Sequence, residues 1–392
     1  MTQAPSSLEP IDPAALRPHY RAFLRPGRIL LTGHSHQAWP DVARDGLSRA
    51  FEIAAEHVDD KWEHAFAAAR GVREAITDRI GGHPDQYALG ASTHELVVRL
   101  LSALDLRSRP RIVTSSGEFH SLDRQLRRLV EAGLEVRFVP ASPVETLAER
   151  VAAELDARTA LVALSTVLFE TGAIVPALDA VREAAARHGV TVLFDAYHAF
   201  NVVPFRVDDW PEAFVVAGGY KYAQWGEGVC FLRVPPQCEL RPLVTGWFAD
   251  FETLEAPRGN GGVGYGRRGA ERFAGATYDP SSHLRAVAVA EFFRAQRLDV
   301  PRLRALSLRQ TGRLLDRLRE AGFEVATPAE PDRRGGFVAV RVDDAARLVR
   351  ALREQGVFAD ARGPLLRLGP APYVTDDEID AAVAHLCAVA SR

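Results

Sequence analysis

Between residues 86 and 235, short apolar runs alternate with longer segments in which the apolar positions follow a helical period. Short apolar runs are typical of buried strands, whereas a period of about 3.6 residues is typical of a helix packed on one face. The pattern predicts strands at residues 87–89, 111–114, 135–139, 160–164, 190–195, 213–216 and 229–234. It predicts helices at residues 95–104, 122–132, 143–155 and 178–188.

Strands that alternate with helices in this way indicate an α/β fold. We expect parallel strands, joined by helical crossovers and packed between helix layers, in a mostly parallel sheet. In such sheets, ligands bind beyond the carboxyl ends of the strands. The residues that directly follow each predicted strand are therefore the first candidates for a functional site.

The chain before this region predicts a helix, a short strand and a second helix. Asp12 is placed to cap the first helix, with Pro13 in its first turn. Residues 28–31 predict the strand, and residues 41–57 predict an amphipathic helix. Between them, residues 32–40 combine turn formers with two histidines and a tryptophan, a composition that a surface turn also explains.

The chain after residue 235 loses the alternation. Residues 236–282 have no clear periodicity, and the glycine-rich stretch at 259–269 predicts a long ordered loop or a mobile cover over a site. Residues 283–296 and 300–321 predict two helices, followed by strand–helix–strand material. The predicted organisation has three parts, which are an N-terminal segment that joins the small domain (1–58), a large sheet domain (59–282) and a small C-terminal α+β domain (283–392).

Composition and charge favour a small-molecule partner. The 392 residues are 47% hydrophobic and 25% charged, which is ordinary for a globular chain with a sizeable core. The 48 Lys and Arg residues against 51 Asp and Glu give a net charge of −3, so no overall basic field would attract nucleic acid or an anionic membrane. The apolar runs are also far shorter than a bilayer span.

The three cysteines, Cys230, Cys238 and Cys387, contain no CxxC pair. Neither a disulfide framework nor a zinc site is therefore indicated, and we expect no metal. The first ten residues lack the basic, apolar and small-residue succession of a secretory signal. These observations predict reduced thiols and a cytoplasmic location.

The most informative residues follow two successive predicted strands. One strand ends in Asp195, with His198 three positions on, and the next runs into Ala217-Gly-Gly-Tyr-Lys221-Tyr. A carboxylate at this edge is costly without a partner, and a lysine between aromatic rings is expected to have a lowered pKa and to form a Schiff base. Pyridoxal phosphate needs this pair, because the carboxylate keeps the pyridine nitrogen protonated while the lysine holds the aldehyde.

Other strand ends offer contacts for a phosphate and a ring. Ser92 and Thr93 stand in a small-residue turn before a helix, where hydroxyl and N–H groups could cradle a phosphate, although ordinary helix capping explains the same residues. Phe119 follows the next strand and could stack on a pyridine ring. Ser165 follows a later strand. Each signal is weak alone, but together they indicate one cofactor site.

These motifs together resemble class V, fold-type-I pyridoxal-phosphate enzymes, and most closely the kynureninase branch. The resemblance spans nearly the whole chain. Its sharpest marks are Thr32-Gly-His34-Ser, Asp195-Ala-Tyr-His198-Ala, Gly219-Tyr-Lys221-Tyr, Gly246-Trp247-Phe and Arg367-Leu-Gly-Pro-Ala-Pro-Tyr373. The resemblance implies the fold-type-I architecture and the cofactor pyridoxal 5′-phosphate.

Carried over position by position, the resemblance implies a role for each candidate residue. Lys221 would be the Schiff-base lysine and proton carrier, and Asp195 the partner of the pyridine nitrogen. Arg367 would bind the substrate carboxylate, while His34 and His57 are weaker candidates for the substrate pocket. The other cofactor contacts would be Ser92, Thr93, Phe119, Ser165, His198 and Tyr220, with Trp247 and Thr277 reaching across the interface of a homodimer with shared active sites.

The implied reaction is hydrolysis of the Cβ–Cγ bond of a kynurenine-type amino acid, which gives anthranilate and alanine, as in tryptophan catabolism. Lys221 would take the Cα proton, and Tyr220 is the candidate base for the water. The chain departs from kynureninases at Leu122, Asp250 and Tyr278-Asp279. The last two of these lie in regions that help recognise the aryl ketone in the family.

Other interpretations stay open at this point. The same cofactor would serve a β-lyase or an aminotransferase acting on another amino acid. A cysteine desulfurase is disfavoured, because its nucleophile must be mobile, whereas the three cysteines lie in a predicted strand, beside two prolines and in a terminal helix. A catalytically idle binding module is disfavoured because Asp195, Lys221 and Arg367 are all present.

Overall fold

The computed structural model describes residues 9–253, 262–266 and 269–391. The α-helices in these ranges are α1 (Pro13–Leu16), α2 (Val42–His57), α3 (Lys61–Ile80), α4 (Thr93–Ser102), α5 (His120–Glu131), α6 (Leu147–Ala153), α7 (Leu178–His188), α8 (Ser281–Ala295), α9 (Val300–Glu320), α10 (Ala345–Glu354) and α11 (Asp376–Ala390). The strands are β1 (Ile29–Leu30), β2 (Tyr87–Gly90), β3 (Arg111–Ser115), β4 (Glu135–Val139), β5 (Thr159–Ser165), β6 (Thr191–Asp195), β7 (Phe214–Gly218), β8 (Cys230–Arg233), β9 (Glu324–Val325), β10 (Val338–Arg341), β11 (Val357–Phe358), β12 (Asp360–Arg362) and β13 (Leu365–Leu368).

A seven-stranded sheet with the order β2-β8-β7-β6-β5-β3-β4 forms the centre of the protein. Strands β3 to β7 pair in parallel. All seven residues of β5 are buried, as expected for a central strand that is covered on both faces. The mostly parallel α/β fold predicted from the sequence is confirmed.

Strand β8 is the exception, because it runs antiparallel to both of its neighbours, β2 and β7. The sheet is mostly parallel, as predicted, but the sequence pattern does not reveal that β8 is the reversed strand. The connection from β7 to β8, residues 219–229, is described throughout and contains no helix. A parallel pair would need a crossover of a dozen or more residues, so this shorter connection returns the chain in the opposite direction. It also carries Lys221.

The side chains of β5 alternate between two apolar clusters. Val162 and Leu164 belong to one cluster, and Leu161 and Ala163 belong to the other. Because successive strand residues point to opposite faces, the sheet separates the two cores. Burying a Val or Leu side chain contributes roughly 1.5–3 kcal/mol, so the packing on both faces holds the strand ends in place.

The sequence pattern does not predict helix α3. Its buried face consists largely of alanine, at Ala65, Ala68, Ala69 and Ala75. Alanine is a strong helix former, but it contrasts only weakly with polar neighbours in a periodicity analysis. In the structure, α3 and α2 both pack against α8.

A segment near the N-terminus pairs with the C-terminal part of the chain. Strands β12, β13, β10 and β9 form a second, antiparallel sheet. Near the N-terminus, β1 pairs in parallel with β11, and Thr32 forms a parallel bridge with Gly369. The Thr32-Gly-His34-Ser motif is therefore brought next to the motif that contains Arg367. The domain boundaries at residues 58 and 282 stay predictions.

Part of the glycine-rich stretch at residues 259–269 can be described. Residues 262–266 and Gly269 contain neither helix nor strand, and the N–H of Gly266 donates to the carbonyl of Ala249. The rest of the 259–269 stretch lies outside the described residues. Among the helices that the structure describes, none combines the length and the apolar character required to cross a bilayer.

Candidate active site

A cavity of about 250 Å³ opens where the parallel strands end. It is lined by residues that follow β2, β3, β5, β6 and β7, together with Glu227, Gly228 and Cys230 near the start of β8. The structure thereby brings together eight of the predicted site residues, namely Ser92, Thr93, Phe119, Ser165, Asp195, His198, Tyr220 and Lys221. These residues span 130 positions of sequence, and only the sheet places them in one cavity.

Lys221 is a buried amine, with 4% of the residue exposed. Its Nζ lies 2.7 Å from Nε2 of His198 and sits over the rings of Tyr197 and Phe119, at 4.6 and 5.4 Å from their centroids. Burial lowers the pKa of Lys221 to about 7, although the nearby carboxylate of Asp195 opposes this effect. The side chain is therefore an amine that loses its proton near neutral pH.

Asp195 stands at the carboxyl end of β6, directly opposite Ser165 at the end of β5. Its Oδ1 accepts a hydrogen bond of 2.9 Å from the backbone N–H of Tyr197. Burial raises the pKa of Asp195, while that hydrogen bond and the charge of Lys221 oppose the rise. The cavity therefore holds a carboxylate and an amine that are both partly stripped of water.

The two glycines before Lys221 are required by close packing. A Cβ atom at Gly218 would lie 2.3 Å from Oη of Tyr197, and one at Gly219 would lie 2.6 Å from the ring of Trp225. Both approaches are shorter than real Cβ contacts. The sequence Gly218-Gly219 therefore lets aromatic side chains pack beneath the turn that carries the lysine.

Ser92 and Thr93 lie at the N-terminus of helix α4. The hydroxyl of Ser92 accepts a hydrogen bond of 3.2 Å from the N–H of Glu95, so Ser92 is the helix cap. Both residues also line the cavity. The structure shows Ser92 as a helix cap that also lines the cavity, and its role in binding a phosphate stays a prediction.

Glu118 is a buried residue of the site region that the sequence analysis did not single out. It is 3% exposed, and its carboxylate accepts hydrogen bonds from Ser115 Oγ at 2.5 Å, Ser165 Oγ at 2.6 Å and Ser165 N at 3.2 Å. Burial, together with the charge of Asp195, raises the pKa of Glu118 to about 7. The signal available in the sequence was only its place between a strand end and Phe119.

Arg367 and His34 meet in a second cluster around Asp360. The guanidinium of Arg367 is 2% exposed and donates to both carboxylate oxygens of Asp360, at 2.9 and 2.5 Å. Nε2 of His34 lies 2.8 Å from Oδ1 of the same carboxylate. Burial lowers the pKa of His34 to about 4, and the hydrogen bonds from His34 and Arg367 hold the pKa of Asp360 well below its usual range.

This cluster abuts the cavity but is not part of its described lining. Arg367 donates from Nη1 to the carbonyl of Phe169, which lines the cavity. The ring of Phe337 lies 4.6 Å from the ring of His34 and 5.7 Å from that of His198. Sequence reasoning missed Asp360, because its pairing with Arg367 depends on the register of β12 against β13.

The other predicted site residues are not part of the described lining of this cavity. His57 ends helix α2, with its ring 4.5 Å from that of His64. Trp247 is 43% exposed and stacks on Phe248 at 4.3 Å, and Thr277 is exposed. Within one chain the structure does not bring these three residues to Lys221, so their roles stay predictions.

The rarity of lysine in the chain gives a further signal for Lys221, which the hydrophobic pattern does not contain. Of the 48 Lys and Arg residues in the chain, only Lys61 and Lys221 are lysines. Lys61 begins helix α3. Arginine cannot be deprotonated in proteins, whereas a buried lysine can. In a chain that uses arginine almost everywhere else, the cavity contains a lysine, which suits chemistry that needs a neutral amine.

Comparisons with known proteins agree on one class of enzyme. A family model for the kynureninase C-terminal domain matches residues 303–386. Isopenicillin N epimerase from Streptomyces clavuligerus is 31% identical over 354 residues, which cover 84% of this chain and 86% of that protein. A kynureninase from Bacillus cereus is 26% identical over 379 residues, which cover 91% of this chain and 87% of that protein.

Solved structures share the fold. The cystine C–S lyase C-DES, in complex with its reaction product cysteine persulfide, matches 94% of this chain and 99% of its own, with a TM-score of 0.83 and 19% identity. The cysteine desulfurase CsdA from Escherichia coli matches 97% and 99%, with a TM-score of 0.80 and 16% identity. The fold, the site and the sequence relatives all indicate a cofactor-dependent enzyme. The chain belongs to the class V, fold-type-I pyridoxal-phosphate-dependent enzymes.

Proposed function

We propose that pyridoxal 5′-phosphate binds in the cavity around Lys221 and that Lys221 is its attachment residue. The observation that carries the proposal is that a buried amine with a pKa near 7 shares this cavity with the carboxylate of Asp195. One of the lining residues also has an unpaired polar atom, because Nδ1 of His198 is buried without a hydrogen-bond partner among the described residues.

The lining residues suit the separate parts of the cofactor. Bound there, the cofactor would supply a ring that draws electrons from the Cα of an attached amino acid. Asp195 would keep the ring nitrogen protonated, and Phe119 would pack on the ring face. The phosphate would be held by Ser92, Thr93 and Tyr220, at the N-terminus of helix α4, where N–H groups favour anions.

Lys221 would move the proton at Cα. An amine with a pKa near 7 is partly neutral at physiological pH and can accept that proton. Burial raises the pKa of Tyr220 to about 12, so its hydroxyl stays protonated at neutral pH. We therefore assign Tyr220 the role of a hydrogen-bond donor, and the activation of water falls to Lys221.

Arg367 would bind the substrate carboxylate. Asp360 occupies Nε and one hydrogen of Nη2, and the carbonyl of Phe169 takes one hydrogen of Nη1. Two of the five N–H donors of the guanidinium remain, and a substrate carboxylate would accept from them. Asp360 thus holds the guanidinium plane, and the bound carboxylate sets which bond at Cα faces Lys221.

We infer hydrolysis of the Cβ–Cγ bond of kynurenine or a related aryl-keto amino acid. Water adds to the γ-carbonyl, the Cβ–Cγ bond breaks, and the products are an aromatic acid such as anthranilate and alanine. Support comes from the kynureninase relatives and from the match of residues 303–386 to the kynureninase C-terminal model.

One specific observation favours a second candidate, which is epimerisation at Cα. The relative that is 31% identical is named isopenicillin N epimerase, and the chain departs from kynureninases at positions that recognise the aryl ketone. In the structure the carboxylate of Asp279 accepts hydrogen bonds from the N–H and the hydroxyl of Ser281, and the hydroxyl of Tyr278 lies 3.4 Å from the carbonyl of Ala65. Epimerisation requires the same removal and return of a Cα proton but no water.

A β-lyase or an aminotransferase on another amino acid uses the same residues and is separated by its products. Desulfurase chemistry is less compatible with the site. Cys230 lines the cavity, but it lies in β8, and burial raises the pKa of its thiol to about 12. The reactive thiolate would therefore be scarce at neutral pH.

We also infer a homodimer whose two active sites are shared. Rings at Trp62, Phe66, Trp247, Phe248 and Phe251 form an aromatic cluster, and three of them are exposed apolar side chains in one chain. Large exposed apolar patches mark interaction surfaces. A cytoplasmic location agrees with three cysteines that form no disulfide.

A product analysis in heavy water tests this proposal. The cofactor-loaded protein is incubated with L-kynurenine and with a panel of other amino acids, and products are identified by mass spectrometry. Anthranilate and alanine in equal amounts support the hydrolase. Inversion with Cα deuteration and no cleavage supports the epimerase, while pyruvate or an oxo acid supports the lyase or aminotransferase. No turnover of kynurenine by the loaded protein contradicts the leading substrate.

A further inference from the structure

Glu118 has no role in the chemistry proposed above, yet it is buried at the edge of the cavity. It follows β3, and its carboxylate joins Ser115 at the end of β3 to Ser165 at the end of β5. Among the described residues, no Lys, Arg or His forms an ion pair with it. A buried carboxylate without a cation is costly, so its position calls for a reason.

The three hydrogen bonds of Glu118 are divided unequally between its oxygens. Oε1 accepts from Ser115 Oγ and from the backbone N–H of Ser165, whereas Oε2 accepts from Ser165 Oγ. An ionised carboxylate only accepts, so the hydroxyl hydrogen of Ser165 points at Glu118. The lone pairs of that hydroxyl are left for the cavity, which Ser165 lines.

Protonation of Glu118 would reverse the direction of the hydrogen bond between its Oε2 and Ser165 Oγ. Oε2 carries the smaller number of donors, so it is the oxygen with room for the proton. Neutral Glu118 would then donate to Ser165 Oγ, and the hydroxyl hydrogen of Ser165 would turn towards the cavity. Burial and the charge of Asp195 at the end of β6 raise the pKa of Glu118 to about 7, so both states are accessible near neutral pH.

We propose that Glu118 is a positioning residue that sets the hydrogen-bond direction of Ser165. With Glu118 ionised, Ser165 offers the bound cofactor an acceptor; with Glu118 neutral, it offers a donor. The inference rests on the proposed function, because it requires the cofactor in this cavity. It assigns a role to a side chain that acts through Ser165 and does not itself line the cavity.

A double-mutant cycle tests the proposal. The variants are Glu118→Gln, Ser165→Ala and their combination. An amide at position 118 keeps the shape of the side chain and donates to Ser165 Oγ at every pH, so it imitates the neutral acid. The readout is the pH midpoint at which the visible absorption band of the lysine-bound cofactor changes, which is independent of turnover.

The expected result is a lower midpoint in the Glu118→Gln variant, by about one pH unit, or tenfold in proton concentration. Loss of a negative charge and a hydrogen turned towards the cavity both disfavour the protonated, cationic state of the lysine nitrogen. In the Ser165→Ala background, the same change should produce less than half of that shift, because only the charge effect remains.

Ser116→Ala is the matched control, since Ser116 is a neighbouring serine that is exposed and whose hydroxyl accepts from the N–H of Ala141 and does not contact Glu118. Its midpoint should stay near that of the wild type. Equal shifts from Glu118→Gln with and without the Ser165 hydroxyl would overturn the proposal, as would a shift of the same size in Ser116→Ala.

Two further outcomes are separable. If Glu118→Gln does not fold, Ser165→Thr, which keeps the hydroxyl, is compared with Ser165→Ala; equal midpoints in these two variants would overturn the inference. If the wild type develops no band with pyridoxal 5′-phosphate, the proposed function itself fails, and the inference fails with it.

Discussion

The amine nitrogen of Lys221 lies 2.7 Å from Nε2 of His198, and both side chains are buried. Burial and the charge of Lys221 lower the pKa of His198 well below its usual value, so its imidazole is neutral at physiological pH. When the amine carries its proton, the neutral ring can only accept a hydrogen bond from it. His198 therefore holds the reactive nitrogen at the cavity without competing with it for charge.

This arrangement predicts how the apoprotein reacts with an aldehyde. Only the neutral amine attacks a carbonyl, so the rate of reaction with pyridoxal 5′-phosphate should rise with pH and level off just above the Lys221 pKa of about 7. An ordinary lysine, with a pKa of about 10.4, would give a rate that keeps rising to about pH 10. Stopped-flow absorbance over this range measures the profile, and a rise that continues past about pH 9 would contradict the lowered pKa.

A second prediction concerns Arg367. Arg367→Lys keeps the charge but removes the planar fork, so it should raise the KM of the amino-acid substrate more than about tenfold while changing kcat less. Arg341→Lys is the control, because Arg341 is exposed and pairs with the exposed Glu324. Steady-state kinetics separates the two parameters. An unchanged KM in Arg367→Lys would remove the carboxylate assignment.

Much of the fold follows from local pattern, and the exceptions have physical causes. The strand at 135–139 and the helix at 178–188 have the predicted limits, because their apolar periods are strong and their ends coincide with turn formers. Helix α3 is missed because alanines form its buried face. The direction of β8 is missed because it depends on the absence of a crossover helix in the preceding connection, which the apolar run of β8 does not reveal.

The residues of the site also divide into those that the sequence predicts and those that it does not. Residues at the end of a predicted strand or directly after it, such as Asp195 and Ser165, could be found because parallel strands bring their carboxyl ends to one edge. Glu118 and Asp360 could not, because their partners are set by tertiary packing and by the register of β12 on β13. Neither carboxylate belongs to a motif that spacing alone would mark.

The turn before Lys221 predicts a packing effect. Gly218→Ala places a Cβ 2.3 Å from Oη of Tyr197 and 2.5 Å from Sγ of Cys230, so we expect a loss of about 1–3 kcal/mol in unfolding free energy and weaker cofactor binding. Gly262→Ala is the matched control, since a Cβ there meets open space. Denaturant unfolding of both variants measures the difference, and equal stabilities would show that the turn tolerates the added atom.

Shared active sites predict complementation between two inactive subunits. Lys221→Ala lacks the amine, and Trp247→Ala should lose most activity if Trp247 reaches the partner's cavity. In a dimer of the two variants, one of the two sites would combine an intact Lys221 with an intact Trp247. Equal co-expression should therefore restore about a quarter of wild-type activity. The single-variant homodimers are the controls, and a mixture no more active than these would exclude sharing through Trp247.

The most direct test of the central claim is to locate the cofactor on the chain. The protein is incubated with pyridoxal 5′-phosphate, the bond is reduced with borohydride, and the peptides are mapped by mass spectrometry. The chain has only two lysines, Lys61 and Lys221, so Lys61→Arg leaves a single candidate side chain. The account predicts one phosphopyridoxyl group per chain, on Lys221, with undiminished labelling in Lys61→Arg. Labelling at Lys61, or full labelling of Lys221→Ala, would contradict it.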